Sequence, residues 1–346
     1  VISPDIWCKA TDHIKEQIEL IKKLEKKGFA YKAGGNVYFN TSKFKDYGKL
    51  AKLNLKLERK ARVEKDQNKK NKNDFVLWFT KSKFQDQEMK WDSPWGLGYP
   101  GWHLECSAMS MKYLGNTFDI HCGGIDHIPI HHNNEIAQSE AATGKKFVNF
   151  WLHGEFLIIS KSKMAKSGEN FITLNILTNK NYDPLAYRYL CLTAHYRSPL
   201  EFSYISLDSA QNALIRLKNK ILELKKKFDN KKSKNISAYK NKFLNYINDD
   251  LDIPKALALT WDLLKDNKIS NKDKYKLILN FDKILGLNLS KVKEEKMPQN
   301  IIKLANEREK ARKAKNWNKA DKLRQEIKAK GYSIEDTISG YIIKKA

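Results

Sequence analysis

At 346 residues the chain exceeds what one hydrophobic core usually organises, so two or three packed units are expected. Its 41% hydrophobic and 30% charged content is ordinary, and no stretch approaches the roughly 18 apolar residues of a membrane span, so a soluble protein without membrane association is expected. A formal charge of +25 attracts a polyanion at long range, nucleic acid being the commonest; the AT-rich coding that lysine and asparagine along the whole chain suggest would give the same total.

The chain opens Val1-Ile2-Ser3-Pro4-Asp5, with no initiator Met, basic n-region or apolar h-region. This reads as a cut within a longer protein, not as a signal peptide. Residues 12–28 place Ile14, Ile18, Ile21 and Leu24 at helical spacing, with Gly28 where a helix would stop. Alternation through 29–42 around Gly34-Gly35 predicts a β-hairpin. Residues 58–74 are charged and aperiodic and read as an exposed connection, and 74–79 (DFVLWF) as a short buried strand. From 92 to 170, Gly, His, Pro and aromatic residues cluster among short apolar runs, the pattern of loops that carry chemistry on an α/β scaffold. Beyond Asp183, apolar stripes predict helices over 184–196, 207–229, 238–249, 254–266, 273–285 and 299–330. Lysine-rich breaks at 230–235 and 288–298 are the expected linkers. Four cysteines (Cys8, Cys106, Cys122, Cys191) do not make a disulfide framework and suit a reducing compartment, with cytoplasm the default.

Three stretches carry candidate chemistry. Residues 100–109 (PGWHLECSAM) set Cys106 beside Trp102 and His103, and 119–140 reads DIHCGGIDHIPIHHNNEIAQSE. His131 and Glu135 are four apart, so a helix beginning there puts both on one face, where they can share an ion with Cys106. Thiolate, imidazole and carboxylate together suit Zn²⁺. His121, Cys122 and His127 remain further candidate ligands. The same residues also suit a structural role, Cys106 as a small buried hydrophobe and His131 and His132 as hydrogen-bonding groups at a helix start. The third stretch, Lys163-Met164-Ala165-Lys166-Ser167, follows the strand-like run WLHGEFLII. Two lysines on a short loop can hold a triphosphate and stabilise charge on phosphoryl oxygens. In so lysine-rich a chain they also read as solvated surface.

In order and spacing these segments resemble the cysteinyl-tRNA synthetase family of class I aminoacyl-tRNA synthetases. GWHLECSAM, the His-Cys-Gly-Gly-Ile-Asp stretch at 121–126, HHNNEIAQSEA and the 163–167 loop are similar to its active-site segments. The last resembles the KMSKS signature with Ala165 in place of Ser. Similarity continues through AHYRSPLEFS at 194–203 and into the tail beginning EREKARKAKNW, covering nearly the whole chain.

The resemblance implies an α/β fold: a Rossmann-like catalytic domain with its first part missing, then an α-helical anticodon-binding bundle and a small helical and hairpin tail. Its implied divisions are a catalytic remnant at 1–18, a connective insertion at 19–98, the second catalytic half at 99–170, a stem-contact region at 171–206, the bundle at 207–290 and the tail at 297–346. The implied activity is ATP-dependent conversion of L-cysteine to cysteinyl-adenylate and transfer to tRNA(Cys), by a monomer using one Zn²⁺ per chain, and Mg²⁺ with ATP. It implies Cys106, His131 and Glu135 as zinc ligands, Lys163, Lys166 and Ser167 at the ATP phosphates, Trp102 packing on cysteine and Asp126 meeting its ammonium group. Thr11, His13 and His103 are further contacts. Zinc would separate cysteine from serine because it binds a thiolate far better than a hydroxyl, a choice an apolar pocket cannot make.

The family's HIGH motif and a fourth zinc ligand, a cysteine, are expected upstream of Val1. The chain alone is therefore expected to lack full activity. Two rival readings are a ligase joining cysteine to an amino-sugar inositol in mycothiol synthesis and a tRNA-binding module without catalysis. The basic helical half at 207–346 favours a tRNA partner over the sugar.

Overall fold

Ile14–Lys26 forms the first helix, α1, because its apolar residues recur on one stripe: Leu20, Ile21 and Leu24 are buried, and Ile14 and Ile18 pack beside them. The computed structural model describes residues 2–52, 66–82, 87–159, 172–229, 231–293, 298–337 and 340–345. A 3-10 turn, Ala10–His13, occupies the start of the stretch expected to be helical from residue 12. The expected hairpin forms from β1 (Ala30–Ala33) and β2 (Asn36–Phe39), paired antiparallel. Its turn residues Gly34 and Gly35 both have positive φ, 56° and 93°, which a two-residue turn of this kind demands. The buried strand β3 (Phe75–Phe79) pairs with β2, and β4 (Tyr99–Pro100) completes a four-stranded antiparallel sheet in the order β1-β2-β3-β4.

Against this sheet lies α2 (Trp102–Leu114), then β5 (Phe118–Gly124), α3 (His131–Thr143) and β6 (Val148–Gly154). β5 and β6 run parallel, from Phe118 opposite Val148 to Gly124 opposite Gly154, with α3 as the crossover. This βαβ unit is the α/β element that the resemblance implies. α3 is buried almost all round, and its small residues Ala137, Ala141 and Ala142 share one core with Leu20, Ile21 and Leu24 of α1, Val37, Phe39, Leu77 and Trp78 of the sheet, and Leu104 and Ala108 of α2. Two of its polar residues bond inside the core: Gln138 donates to Ser107 Oγ at 2.7 Å and to the His103 carbonyl, and Ser139 donates to Ser107 at 2.8 Å. Residues expected in the insertion and in the second catalytic half therefore fill a common core.

β7 (Leu157–Ile159) pairs in parallel with β8 (Leu200–Phe202), across α4 (Leu174–Asn179) and α5 (Pro184–Leu192). Asp183 caps α5 ahead of Pro184, in the first turn where proline costs no hydrogen bond. The helical half follows as α6 (Tyr204–Lys226), α7 (Ile236–Asn248), α8 (Ile253–Lys265) and α9 (Asn271–Leu285). One core spans α4 to α9, and Phe243 and Phe281 stack in it with ring centroids 4.0 Å apart. The two halves also meet through Tyr196, whose carbonyl accepts from the Glu155 amide at 2.8 Å and whose hydroxyl donates to Asp250 at 2.6 Å.

The single helix expected over 299–330 is instead two, α10 (Gln299–Lys313) and α11 (Trp317–Ala329), folded onto each other. Lys315 takes a left-handed φ of 57° and Asn316 caps the new helix by accepting from the Lys319 amide, so the apolar stripe continues across a break. A hairpin of β9 (Tyr332–Thr337) and β10 (Gly340–Lys345) follows, and Ile301, Ala305, Ile327 and Ile334 form the tail's own small core. Among the described residues no helix is long and apolar enough to cross a membrane.

Candidate metal and substrate site

The site forms where the first turn of α3 meets the first turns of α2 and the end of β5. Helical spacing turns His131 and Glu135 to one side, with His131 Nε2 2.9 Å from Glu135 Oε1. Cys106, one turn into α2, faces them, and its Sγ, one His131 nitrogen and one Glu135 oxygen lie within 4.8 Å of one another. The expected triad is thus brought together by two helices that pack side by side.

Glu135 is 1% exposed, and neither of its oxygens makes an aligned hydrogen bond, although His131 and, at 3.2 Å, His121 Nε2 stand close. A buried carboxylate left so is costly, and a divalent cation among thiol, imidazole and carboxylate would satisfy it. The residues therefore fit zinc. Burial opposes ionisation of Glu135, but the His121 and His131 rings outweigh it and hold its carboxyl below the usual carboxylate range. Burial pushes the Cys106 thiol up to about 12, with Glu135, Glu105 and Cys8 adding to the effect. Burial also lowers His103 to about 4 and His132 to about 3, so both rings are neutral at pH 7.

The other expected contacts fall in different places. Trp102 is 62% exposed and meets the His131 ring edge-on at 4.6 Å, forming an outer wall. His103 sits behind His131, its Nδ1 3.2 Å from His131 Nδ1 and its ring against the edge of Phe75, so it restrains the His131 ring. Asp126 is exposed on the rim, its Oδ1 3.4 Å from His127 Nδ1. His13 bonds through Nε2 to Tyr113 at 2.8 Å, roughly 16 Å along α2 from Trp102. Thr11 is exposed in the same 3-10 turn, and no described hydrogen bond or ring contact ties it to the Trp102 cluster. Lys163, Ala165, Lys166 and Ser167 lie outside the described residues.

Three residues at the site had no part in the expected ligand set. His132 Nδ1 lies 2.8 Å from His153 Nε2, and the Trp151 ring packs at 4.6 Å from His132 and 4.9 Å from His121. The only sequence signal was the position of His132 three residues before Glu135. His153 and Trp151 arrive through the parallel pairing of β5 with β6, opposite Gly123 and His121.

Residues 1–212 match the family described as tRNA synthetases class I (C) catalytic domain. A curated cysteine-tRNA ligase of Treponema denticola is 47% identical over 96% of this chain and 74% of its own length. That of Borrelia turicatae is 43% identical over the whole of this chain and 76% of its own. In fold the chain is similar to a solved methionyl-tRNA synthetase of Mycobacterium tuberculosis in complex with methionyl-adenylate, with a TM-score of 0.54 at 15% identity, over 83% of this chain and 72% of that one. On the strength of the matched catalytic domain and of identity running through both halves, the chain belongs to the cysteine-tRNA ligase family of class I aminoacyl-tRNA synthetases.

Proposed function

We propose that this protein activates L-cysteine with ATP as cysteinyl-adenylate and transfers the cysteinyl group to the terminal ribose hydroxyl of tRNA(Cys). The observation that carries this reading is the buried carboxylate of Glu135, without an aligned hydrogen bond and flanked by His131 and Cys106. Zinc held by these three residues would supply a Lewis acid that prefers a thiolate to a hydroxyl, the distinction needed between cysteine and serine. Trp102 offers an apolar wall beside that seat, and Asp126 on the rim offers a carboxylate to the substrate ammonium group. His103 fixes the rotation of His131.

Lys163 and Lys166 would place two ammonium groups on the ATP phosphates, with Ser167 beside them and Mg²⁺ accompanying the nucleotide, so that charge developing at phosphorus is met as it forms. The helical half from residue 207 would read the tRNA, and the basic charge of the chain would draw the polyanion in. Identity to cysteine-tRNA ligases across that half supports a tRNA acceptor over an amino sugar.

The test is cysteine-dependent exchange of pyrophosphate into ATP, followed by charging of tRNA(Cys), on the full-length gene product with serine as competitor. Exchange and charging selective for cysteine, abolished in His131→Ala, are expected. Exchange without charging would point to the sugar ligase. Tight tRNA binding without exchange would leave a binding module. Either outcome overturns the proposal.

A further inference from the structure

Glu135 has two oxygens, and they face different groups. Oε1 lies 2.9 Å from His131 Nε2, while Oε2 lies 3.2 Å from His121 Nε2. His132 Nε2 stands 4.0 Å from Oε1 on the next helical position, and one donor atom each from His121, His132 and Glu135 lie within 4.8 Å of one another. We propose that His121, His132 and Glu135 form a second cation seat, with Glu135 as a carboxylate bridge to the seat of Cys106 and His131.

Four observations carry it. His132 and Glu135 are buried at 2% and 1% side-chain exposure, and the carboxylate lacks an aligned hydrogen bond, so a polar site is closed off from water yet unsatisfied. His132 Nδ1 is engaged by His153 at 2.8 Å, which leaves Nε2 free to turn toward Glu135, the arrangement in which a second ring holds a ligating histidine in place. The Trp151 ring packs against both histidines, restricting their rotation and access to the site. The backbone of β5 comes close enough that a Cβ on Gly123 would stand 2.5 Å from His132 Cε1, so glycine there leaves the space the ring occupies.

The donor set also defines the ligand. Two imidazoles and one carboxylate, without sulfur, suit a borderline divalent ion such as Zn²⁺, Co²⁺ or Ni²⁺, and do not favour a soft monovalent one. The first seat has a thiol and this one does not, so a single probe metal reports them separately. Because both seats draw on Glu135 and two dications repel, the second ion binds more weakly than the first. The seat rests on its own donors, independently of cysteine activation.

The experiment is a Co²⁺ titration of metal-free, tag-free full-length protein, followed by equilibrium dialysis with elemental analysis and by visible and near-ultraviolet absorption. Two ions per chain are expected: the first with a sulfur-to-cobalt charge-transfer band, the second adding only ligand-field bands. Cys106→Ala should weaken the charge-transfer band, leaving at most the share of the cysteine expected upstream, and should leave the second ion bound. His121→Ala and His132→Ala should each lose the second ion, with its affinity falling at least tenfold, and keep the sulfur band. His153→Gln, which leaves every donor in place, should weaken the second ion alone. A single ion per wild-type chain at saturating Co²⁺ overturns the proposal, and so does a second ion unaffected by His121→Ala and His132→Ala. Wild-type stoichiometry decides the matter even if a variant does not fold, and neither result depends on cysteine exchange or tRNA charging.

Discussion

His131 and Glu135, one helical turn apart on α3, hold Nε2 and Oε1 2.9 Å apart in a nearly water-free interior. On the far side of the imidazole, His103 Nδ1 meets His131 Nδ1 at 3.2 Å. The His131 ring is therefore gripped from both sides, and that geometry makes its proposed role as a ligand testable piece by piece.

Replacing His103 by Phe should keep the ring's packing against Phe75 while removing the nitrogen that orients His131. Outer partners of ligating histidines typically contribute 10–100-fold to metal affinity, so zinc should bind about 10–100-fold more weakly. Competition with a chromophoric chelator measures it. Unchanged affinity would mean that His103 has no part in holding the ligand ring.

The Cys106 thiol is pushed up to about 12, so the metal-free protein carries it protonated at neutral pH. Zinc binds the thiolate, and loading must displace that proton. Titration calorimetry in buffers of different ionisation enthalpy should show about one proton released per first ion near pH 7.5, and apparent affinity should rise about tenfold per pH unit. In Cys106→Ala the release should vanish.

Asp282 accepts from the Leu287 and Leu289 amides at 2.7 Å each, closing the chain just after α9. Asp282→Ala would strand two buried donors, at a cost of about 1–3 kcal/mol for each. Urea unfolding of the helical half should show a loss of that order, and Asp282→Asn, which keeps one acceptor, should lose less.

Arg308 holds the Asp336 carboxyl well below its usual range through a forked hydrogen bond at 2.8 and 3.0 Å, joining α10 to β9. A carboxyl depressed on folding contributes stability above its unfolded value near 4, and that contribution is lost as pH falls through the folded value. Asp336 is partly exposed, so solvent screening keeps the contribution below about 1 kcal/mol. Amide exchange in α10 and α11 should quicken below about pH 4 in the wild type. In Asp336→Asn it should be faster already at pH 6 and should respond less to acid.

Lys166→Ala should slow adenylate formation by about 10²–10³-fold, the usual cost of removing one donor to developing charge, without altering zinc content. Ala165→Ser should change the rate only a few-fold, since both lysines remain. Stopped-flow adenylate formation measures both, and a change of several orders of magnitude in Ala165→Ser would show that this hydroxyl matters more than the charge.

Much of the architecture was legible in the sequence. The stripe through Ile14, Ile18, Ile21 and Leu24, the glycine pair of the hairpin and the apolar run before Thr80 each signal an element through residues a few positions apart. The tail shows where this fails. An apolar stripe persists from 299 to 330, so periodicity reads one helix, and only the left-handed Lys315 with the cap at Asn316 reveals two. At the site, Cys106, His131 and Glu135 were legible because two of them share a helix face. His103 is expected as a further substrate contact, and the structure adds that its Nδ1 lies 3.2 Å from His131 Nδ1, a pairing that no spacing in the sequence announces.

By itself the sequence determined that His131 and Glu135 share a helix face, because helical geometry is local and four residues suffice to state it. It also determined, by motif order, the family to which the chain belongs. Only the tertiary structure decided which other side chains meet Glu135. His121 and His153 stand on strands joined by α3, and their convergence with His132 depends on parallel pairing between residues some thirty positions apart and on α3 packing across that pair. No local periodicity encodes that register. It is fixed by the parallel backbone ladder from Phe118 opposite Val148 to Gly124 opposite Gly154, and it leaves Glu135 a carboxylate with a histidine on each oxygen.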